Sequence, residues 1–364
     1  MKTIKIQLNN SIESNIIIHD GMFKNISDIL DPFPDSTDFI IITDQNIIDY
    51  HGESIHAGFE DYKYNIIIST PGEKAKDILN IDKIYSNLLD LKCNKGSCLV
   101  AIGGGVIGDI TGFVASTFMR GIQYINIPTS LLAMVDSSIG GKTGINLLKG
   151  KNLIGSIYHP SKIIIDISFL STLPIREYYS GMIEIIKYGL ILDKNLFKII
   201  SSNFDELSPG NNNSELMINI INRCIELKSM IVEEDEKDKD IRNILNFGHT
   251  IGHALESYFG YDYIKHGEAV AYGILYSSQL SNKYSRLSDS DFKDISSLIN
   301  KISLPQLKKL DFDRLINLIM NDKKNINGKL KFILLESIGE AKITNKIDYN
   351  NIKEVLKNYE YISC

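Results

Sequence analysis

Residues 98–109 read Cys98-Leu99-Val100-Ala101-Ile102-Gly103-Gly104-Gly105-Val106-Ile107-Gly108-Asp109, an apolar run that ends in glycines. The run predicts a buried parallel strand, and the residues after it predict a helix. The glycines fit G-x-G-x-x-G, a pattern in which the backbone approaches a pyrophosphate at a helix N-terminus. The acidic residue that usually follows about 20 positions on is absent, since Arg120 and Gly121 stand there. The stretch therefore predicts a nucleotide site that departs from the standard Rossmann pattern.

The same strand–helix rhythm extends through the first half of the chain. Phe39–Asp44 and Tyr64–Ile68 are short apolar runs, Ile78–Leu91 has helical spacing, and Met1–Leu8 alternates as an edge strand does. This rhythm predicts an open parallel sheet that binds ligands at the carboxyl ends of its strands.

Near Leu173 the character of the sequence changes. Helical periodicity then dominates, and the segments that carry it are 183–192, 216–232, 244–258 and 270–284, with a strand pair predicted around 330–335. We expect an α/β domain with a parallel sheet over residues 1–173 and a mainly α-helical domain over residues 174–364.

Three further segments border the predicted strand ends. Residues 71–76 carry charged side chains after one strand, and residues 128–130 follow another apolar run. Residues 136–144 form a second glycine-rich loop around Lys142, but they lack the leading glycine of G-x-x-x-x-G-K-[ST]. That departure argues against an NTPase and favours a phosphate-proximal turn.

Composition excludes some classes of protein. The 364 residues carry a net charge of -6, which gives no electrostatic footprint for nucleic acid. The four cysteines lack paired metal spacings, so free thiols in a reducing compartment are expected. No run approaches the roughly 18 apolar residues of a membrane helix, and the N-terminus lacks a signal-peptide core. We expect a soluble, cytoplasmic protein without nucleic-acid or membrane partners.

Histidines are concentrated in one window. Three of the 7 histidines are His249, His253 and His266, and the first two share a helix face because they are four residues apart. Imidazoles with nearby carboxylates indicate a divalent-metal site. Thr250 occupies the glutamate position of H-E-x-x-H, which argues against a metallopeptidase.

Glu184 lies three residues before Lys187 inside an otherwise apolar helix. One interpretation is an intrahelical ion pair, and the other is a metal ligand with a catalytic ammonium beside it. Elsewhere Lys142, Lys151, Lys228 and Arg242 stand apart from charge runs, and together they favour a substrate with phosphate or carboxylate groups.

These motifs, in this order, resemble the 3-dehydroquinate synthase family of sugar-phosphate cyclases over nearly the whole chain, from Asp44 to about Leu335. The resemblance implies a Rossmann-like domain that binds NAD and a helical domain that binds zinc, with Co2+ as an alternative metal, and a homodimer. It implies that Glu184, His249 and His266 bind the metal, while His253 contacts the substrate or handles protons.

The resemblance also implies the residues that bind NAD and substrate. The cofactor is bordered by Asp44, Pro71, Gly72, Glu73, Lys74, Ala75, Lys76, Gly105, Val106, Ile107, Gly108, Asp109, Thr129, Ser130, Lys142, Lys151, Phe169, Leu170, Ser171 and Thr172. The phosphate is held by Lys142, Asn152, Asn246, Lys324 and Arg120, with Arg120 reaching in from a partner subunit. Lys228 and Arg242 hold the carboxylate, and Lys187 and Asp136 complete the catalytic set.

The implied reaction converts 3-deoxy-D-arabino-heptulosonate 7-phosphate to 3-dehydroquinate and phosphate. Transient oxidation by NAD precedes phosphate elimination, reduction, ring opening and an intramolecular aldol. One alternative is another sugar-phosphate cyclase, such as a 2-deoxy-scyllo-inosose synthase, although its substrate has no carboxylate for Lys228 and Arg242. Others are a metal- and NAD-dependent alcohol dehydrogenase and a catalytically silent binding protein.

Overall fold

The computed structural model describes residues 2–8, 12–21, 26, 30, 37–147, 150–211, 213–260, 263–307, 310–322 and 331–358. The chain divides into two compact units. The first contains Met1–Leu173 and Ser214–Lys237, and the second contains Pro174–Asn213 and Asp238–Cys364.

The first unit is built on a seven-stranded sheet. Its strands are β1 (Lys2–Leu8), β2 (Ile12–His19), β3 (Phe39–Asp44), β4 (Tyr64–Ser69), β5 (Cys98–Gly103), β6 (Tyr124–Pro128) and β9 (Lys162–Asp166). The spatial order is β1-β2-β9-β6-β5-β3-β4, and neighbouring strands are parallel except for β1 and β2. The predicted parallel sheet and its N-terminal edge strand are confirmed. Between β6 and β9 lies an antiparallel hairpin of β7 (Lys142–Leu147) and β8 (Gly150–Ile157).

The helices within the described residues follow in chain order. They are α1 (Gln45–Gly58), α2 (Ile78–Asp90), α3 (Gly105–Thr117), α4 (Ile175–Leu192), α5 (Lys194–Ser202), α6 (Ser214–Glu234), α7 (His249–Phe259), α8 (His266–Tyr284), α9 (Asp289–Ile299), α10 (Phe312–Asp322) and α11 (Tyr349–Asn358). The second unit adds a hairpin of β10 (Phe332–Ser337) and β11 (Glu340–Thr344), which confirms the late strand pair.

Alternation along the parallel strands builds the core of the first unit. Ile40 and Ile42 of β3 join Leu99 and Ala101 of β5 in one buried apolar cluster with residues of α2 and α3. Successive strand side chains point to opposite faces, so every second residue contributes to this cluster. Ile41 and Val100, which point to the opposite face, are buried as well, so these two central strands are apolar on both faces.

Three predictions need correction. The helix α6 belongs to the first unit, whereas division of the sequence at Leu173 assigns it to the second. This helix packs against β1, and Lys2 Nζ of β1 lies 2.5 Å from Asn219 Oδ1 of α6. The predicted loop 136–144 contains the start of strand β7. The predicted helix 244–258 is interrupted. A 3-10 turn covers Ile241–Asn246, and α7 begins after Gly248, which has a left-handed backbone with a φ of 79°.

Two further facts bear on the class of protein. Cys93, Cys98 and Cys224 are buried free thiols. None of the helices in the described part of the chain is long and apolar enough to cross a membrane.

Candidate active site

Five neighbouring parallel strands of the first unit end at one edge of the sheet, and predicted cofactor residues lie at the end of each strand or just after it. In spatial order these strands are β9, β6, β5, β3 and β4. Asp44 is the last residue of β3, which pairs directly with β5 and its glycine turn. A carboxylate therefore stands beside the glycines. The resemblance implies Asp44 as a cofactor residue, and in the structure its Oδ1 accepts hydrogen bonds from the Asn46 and Ile47 amides at the start of α1.

The glycine turn before α3 has no space for side chains at Gly103 and Gly105. Gly104 is the N-cap and supplies no side-chain hydrogen bond to the first amides of the helix. A Cβ on Gly105 would lie 2.7 Å from Ser137 Oγ, and one on Gly103 would lie 2.6 Å from Ile107. The amides at a helix N-terminus, in a turn without side chains, suit an anionic pyrophosphate.

A polar network lies beside this turn. Lys76 Nζ is 2.5 Å from Asp109 Oδ2 and donates to Asn152 Oδ1 at 2.8 Å. Burial raises the pKa of Asp109, and the Lys76 charge opposes that rise. The network thus joins a predicted phosphate residue, Asn152, to two predicted cofactor residues.

Asn146, which no sequence motif marks, extends the network. Its side chain accepts a hydrogen bond from the Asn152 backbone at 2.9 Å and donates to Glu73 Oε1 at 2.8 Å. Lys151 Nζ lies 3.6 Å from the same Glu73 oxygen. Asn146 therefore fixes the β7–β8 hairpin to the 3-10 turn at Glu73–Lys76.

Lys228 of α6 is a buried cation. Its Nζ donates to the backbone carbonyl of Asp136 and to Asp136 Oδ1, the latter at 2.6 Å. Asp136 belongs to a single π-helical turn, Ala133–Ser137. Such turns occur often at functional sites.

The other predicted residues of the first unit lie as follows. Thr129 is buried after β6, and Ser130 Oγ accepts a hydrogen bond from the Ala133 amide at 3.3 Å. Phe169 to Thr172 form part of a 3-10 turn after β9. Lys142 and Arg120 are exposed, and Arg120 has a φ of 66°.

His51 was missed by the sequence analysis. Its Nε2 is 2.6 Å from Thr172 Oγ1, and its ring meets Phe169 edge-on with centroids 4.7 Å apart. Burial lowers the pKa of His51, partly offset by the charge of Asp166. No motif marks this residue, because the contact is set by packing of α1 against a turn whose Thr172 lies 121 residues further along the chain.

Three helices of the second unit bring Glu184, His249 and His266 together. Glu184 Oε1 is 3.5 Å from His249 Nε2 and 3.8 Å from His266 Nε2. The three donor atoms lie within 4.8 Å of one another, which suits a common metal ion. The structure thus groups the three residues that the resemblance implies as ligands.

The side chains around this group fit a metal. Glu184 is fully buried, and its Oε1 accepts no hydrogen bond from the described residues. His249 Nδ1 is 3.1 Å from the Phe247 carbonyl, so donation there leaves the Nε2 lone pair toward Glu184. Burial, with the positive charge of Lys187, lowers the pKa of His249 well below 6.5 and keeps the ring neutral.

Lys187 and His253 border the metal group. Lys187 is 1% exposed, and its Nζ forms an ion pair with Glu184 Oε2. The His253 ring lies 5.4 Å from the His249 ring. His253, Glu256 and His266 form a second set of donor atoms within 4.8 Å. No sequence motif marks Glu256, although its position seven residues after His249 puts it on the same helix face.

Arg242 and Asn246 belong to the 3-10 turn before α7, and Arg242 is 3% exposed. Predicted residue Lys324 lies outside the described residues.

Comparisons with known proteins agree along the chain. The family described as 3-dehydroquinate synthase N-terminal matches residues 66–180, and that described as 3-dehydroquinate synthase C-terminal matches residues 181–325. The 3-dehydroquinate synthase of Rippkaea orientalis is 42% identical, covering 94% of each chain. That of Thermodesulfovibrio yellowstonii is 39% identical, covering 98% of this chain and 99% of its own.

A solved structure is also similar. It is a 2-deoxy-scyllo-inosose synthase in complex with carbaglucose-6-phosphate, NAD+ and Co2+, at a TM-score of 0.88 and 28% identity. The similarity covers 98% of this chain and 99% of that one.

Proposed function

Because the chain belongs to the 3-dehydroquinate synthase family, we propose that it converts 3-deoxy-D-arabino-heptulosonate 7-phosphate to 3-dehydroquinate and phosphate. Glu184, His249 and His266 would hold a divalent metal, zinc or cobalt. The edge of the parallel sheet, from Asp44 to the turn at Phe169–Thr172, would hold NAD. When bound, the metal supplies a Lewis acid for a substrate hydroxyl and NAD supplies a recyclable hydride acceptor.

One observation carries the choice of substrate. Lys228 and Arg242 are buried cations, at 5% and 3% exposure, and the proposal gives both to the substrate carboxylate. Cations held in place in this way bind a carboxylate through charge-assisted hydrogen bonds. A glucose 6-phosphate cyclase would have no carboxylate for either residue.

Lys187 and His253 would handle protons at the reacting carbon and oxygen. Lys187 contacts Glu184 and influences His249 electrostatically, so its ammonium stands beside the proposed ligands. His253 lies one helical turn after His249. Proton transfer by positioned side chains typically contributes about 10²–10⁴-fold to a rate.

The phosphate would be held by Lys142, Asn152, Asn246, Lys324 and Arg120. Asn152 is preset by its hydrogen bonds with Lys76 and Asn146. Fixing the phosphate contributes to catalysis by orienting the substrate.

We further propose a homodimer in which Arg120 serves the partner's site. Arg120 is exposed beside Met119, and the nearby hairpin exposes Leu147, Leu153, Ile154 and Ile157. An apolar surface of this kind is typical of a subunit interface. The buried thiols are consistent with work in the reducing cytoplasm.

The test is a turnover assay on purified protein with the heptulosonate phosphate, catalytic NAD and zinc. We expect phosphate release with equal formation of dehydroquinate and no accumulation of NADH. Glucose 6-phosphate serves as the parallel substrate. Phosphate release from glucose 6-phosphate alone would assign the chain to the inosose-forming branch instead.

A further inference from the structure

His266 is held between two carboxylates of the second unit. Its Nε2 is 3.8 Å from Glu184 Oε1, and its Nδ1 is 3.5 Å from Glu256 Oε2. The Glu256 side chain is 10% exposed. One ring nitrogen thus faces the proposed metal position, and the other faces a buried acceptor.

A histidine that binds a metal through one nitrogen almost always donates its other N–H to an acceptor, which fixes the ring and raises its basicity. For His249 this acceptor is the neutral carbonyl of Phe247. For His266 the acceptor is a carboxylate, which adds a full negative charge. The two proposed histidine ligands therefore differ in the charge of the group that accepts a hydrogen bond from the second ring nitrogen.

The backbone that carries His266 is fixed independently of Glu256. Arg176 binds Glu268 through two bonds of 2.6 Å, and Glu268 Oε2 also accepts from the Lys265 amide at 2.8 Å. A Cβ on Gly267 would lie 2.2 Å from Ser180 Cα, so the first turn of α8 presses against α4. These contacts anchor the helix, and they leave the orientation of the imidazole itself to Glu256.

Glu256 also belongs to the alternative donor set with His253 and His266. Burial argues for the set that contains Glu184, because that carboxylate is fully buried and its Oε1 accepts no hydrogen bond from the described residues. Glu256 already faces an N–H of His266.

We propose that Glu256 is a positioning residue, which orients His266 and strengthens it as a metal ligand without binding the metal. This inference rests on the metal site of the proposed function. Removing such an acceptor typically weakens metal binding about 10–100-fold.

The experiment measures zinc and cobalt binding to the purified full-length protein by competition with a chelator. We expect Glu256→Gln to raise the metal Kd about 10–100-fold at one metal per chain, and Glu256→Ala to raise it further because the acceptor is lost. The visible spectrum of the Co2+ protein should shift in Glu256→Gln, since the field of His266 changes.

Glu177→Gln is the matched control. Glu177 pairs with Lys265 at 2.9 Å, one residue before His266, and both side chains are about 40% exposed. The Glu177→Gln substitution removes the same charge near the start of α8 without contacting the His266 ring. The metal Kd and the Co2+ spectrum of this variant should therefore match those of the wild type. Chemical unfolding of each variant corrects the Kd for any loss of folded protein.

Two results would overturn the proposal. One is a Glu256→Gln protein whose corrected Kd and spectrum equal those of Glu177→Gln. The other is Glu256→Gln abolishing metal binding while Glu184→Gln retains it, which would make Glu256 a ligand. Neither result depends on turnover, so both are distinct from failure of the phosphate-release assay.

Discussion

His249, His253 and Glu256 follow one another on a single face of α7, yet the proposals give them three different tasks. Their neighbours make the difference. His249 faces Glu184 across to α4, and Glu256 faces His266 on α8. Single substitutions can therefore separate a ligand, a proton carrier and a positioning residue.

The histidine roles can be tested directly. We expect His249→Ala to abolish tight metal binding, because one of three ligands is lost. His253→Ala should keep one tightly bound metal while kcat falls about 10²–10⁴-fold. Metal content after dialysis and steady-state kinetics check both outcomes. A metal-free His253→Ala protein would instead support the donor set that contains His253.

Metal uptake should depend on pH through His266. Burial alone would lower the pKa of His266, but its hydrogen bond to Glu256 and the charges of Glu256 and Glu184 raise it above 6.5. The metal must displace this proton, so affinity is lost as the pH falls through that raised value. The lowered pKa of His249 means that it adds no proton competition near neutrality.

We expect the apparent metal Kd to rise about tenfold per pH unit below the raised pKa of His266, as loss of one proton requires. Chelator competition across a pH series measures this slope. A hundredfold rise in the metal Kd per pH unit near pH 7 would correspond to two displaced protons, and it would contradict the neutral state assigned to His249.

Lys228 should affect substrate binding more than metal binding. Lys228→Met removes a buried cation that pairs with Asp136, so KM for the carboxylate substrate should rise at least about tenfold. Metal content should not change. A substrate analogue that lacks the carboxylate should bind the wild type and the variant equally. Weaker binding of that analogue to the variant would count against the assignment of Lys228 to the substrate carboxylate.

Among the elements, α7 and α8 are held together by the close approach of their backbones. A Cβ on Gly273 of α8 would lie 2.0 Å from the Gly248 carbonyl oxygen. This oxygen belongs to the backbone, so no side-chain rotation can relieve the contact. The two histidine ligands sit on these two helices. Separating the helices would therefore spread the proposed ligands.

We expect Gly273→Ala to lower the free energy of unfolding by about 2 kcal/mol or more, because the backbones must separate. It should also weaken metal binding. Gly52→Ala is the control, since its Cβ would meet Ile48 at an ordinary 3.5 Å within α1. That substitution should be neutral or stabilising by up to about 1 kcal/mol. Urea unfolding compares the two, and equal losses of stability would refute the packing argument.

Sequence patterns predicted the elements that local chemistry determines. Strands β3, β4, β5 and β6 were found because short apolar runs that end at turn residues mark buried parallel strands. The β7–β8 hairpin was missed, since Gly144 and Gly155 interrupt its pattern and its form depends on pairing. The helix α6 was found, but its unit was not, because its partner β1 lies more than 200 residues away.

The residues of the candidate site likewise divide into those that local spacing predicts and those that depend on contacts between separate elements. Glu184 and Lys187 are neighbours on one helix, so spacing alone placed them together. The contacts of His51 with Thr172 and of Glu256 with His266 join separate elements, and no local pattern encodes them. The resemblance supplied the grouping of Glu184 with His266 that spacing could not.

For the whole molecule, the main prediction concerns subunits. If Arg120 serves the partner's site, two inactive variants should complement each other. We expect Arg120→Ala and His253→Ala, mixed after reversible dissociation, to recover about a quarter of wild-type activity, since half of the dimers then carry one intact site of two. Neither variant alone should recover. If Arg120 serves its own chain's site, the mixture stays inactive.

The burial of Glu184 has a consequence for the life of the protein in the cell. Without the metal, the Lys187 ammonium at Oε2 supplies a positive charge to this fully buried carboxylate, and Oε1 lacks the further compensation that the metal would add. A ligand that binds only the folded chain stabilises it by about 2.7 kcal/mol at 100 times its Kd. Cells starved of zinc should therefore degrade this chain faster as well as activate less of it. Metal supply would then set enzyme abundance through turnover, without any change in gene expression.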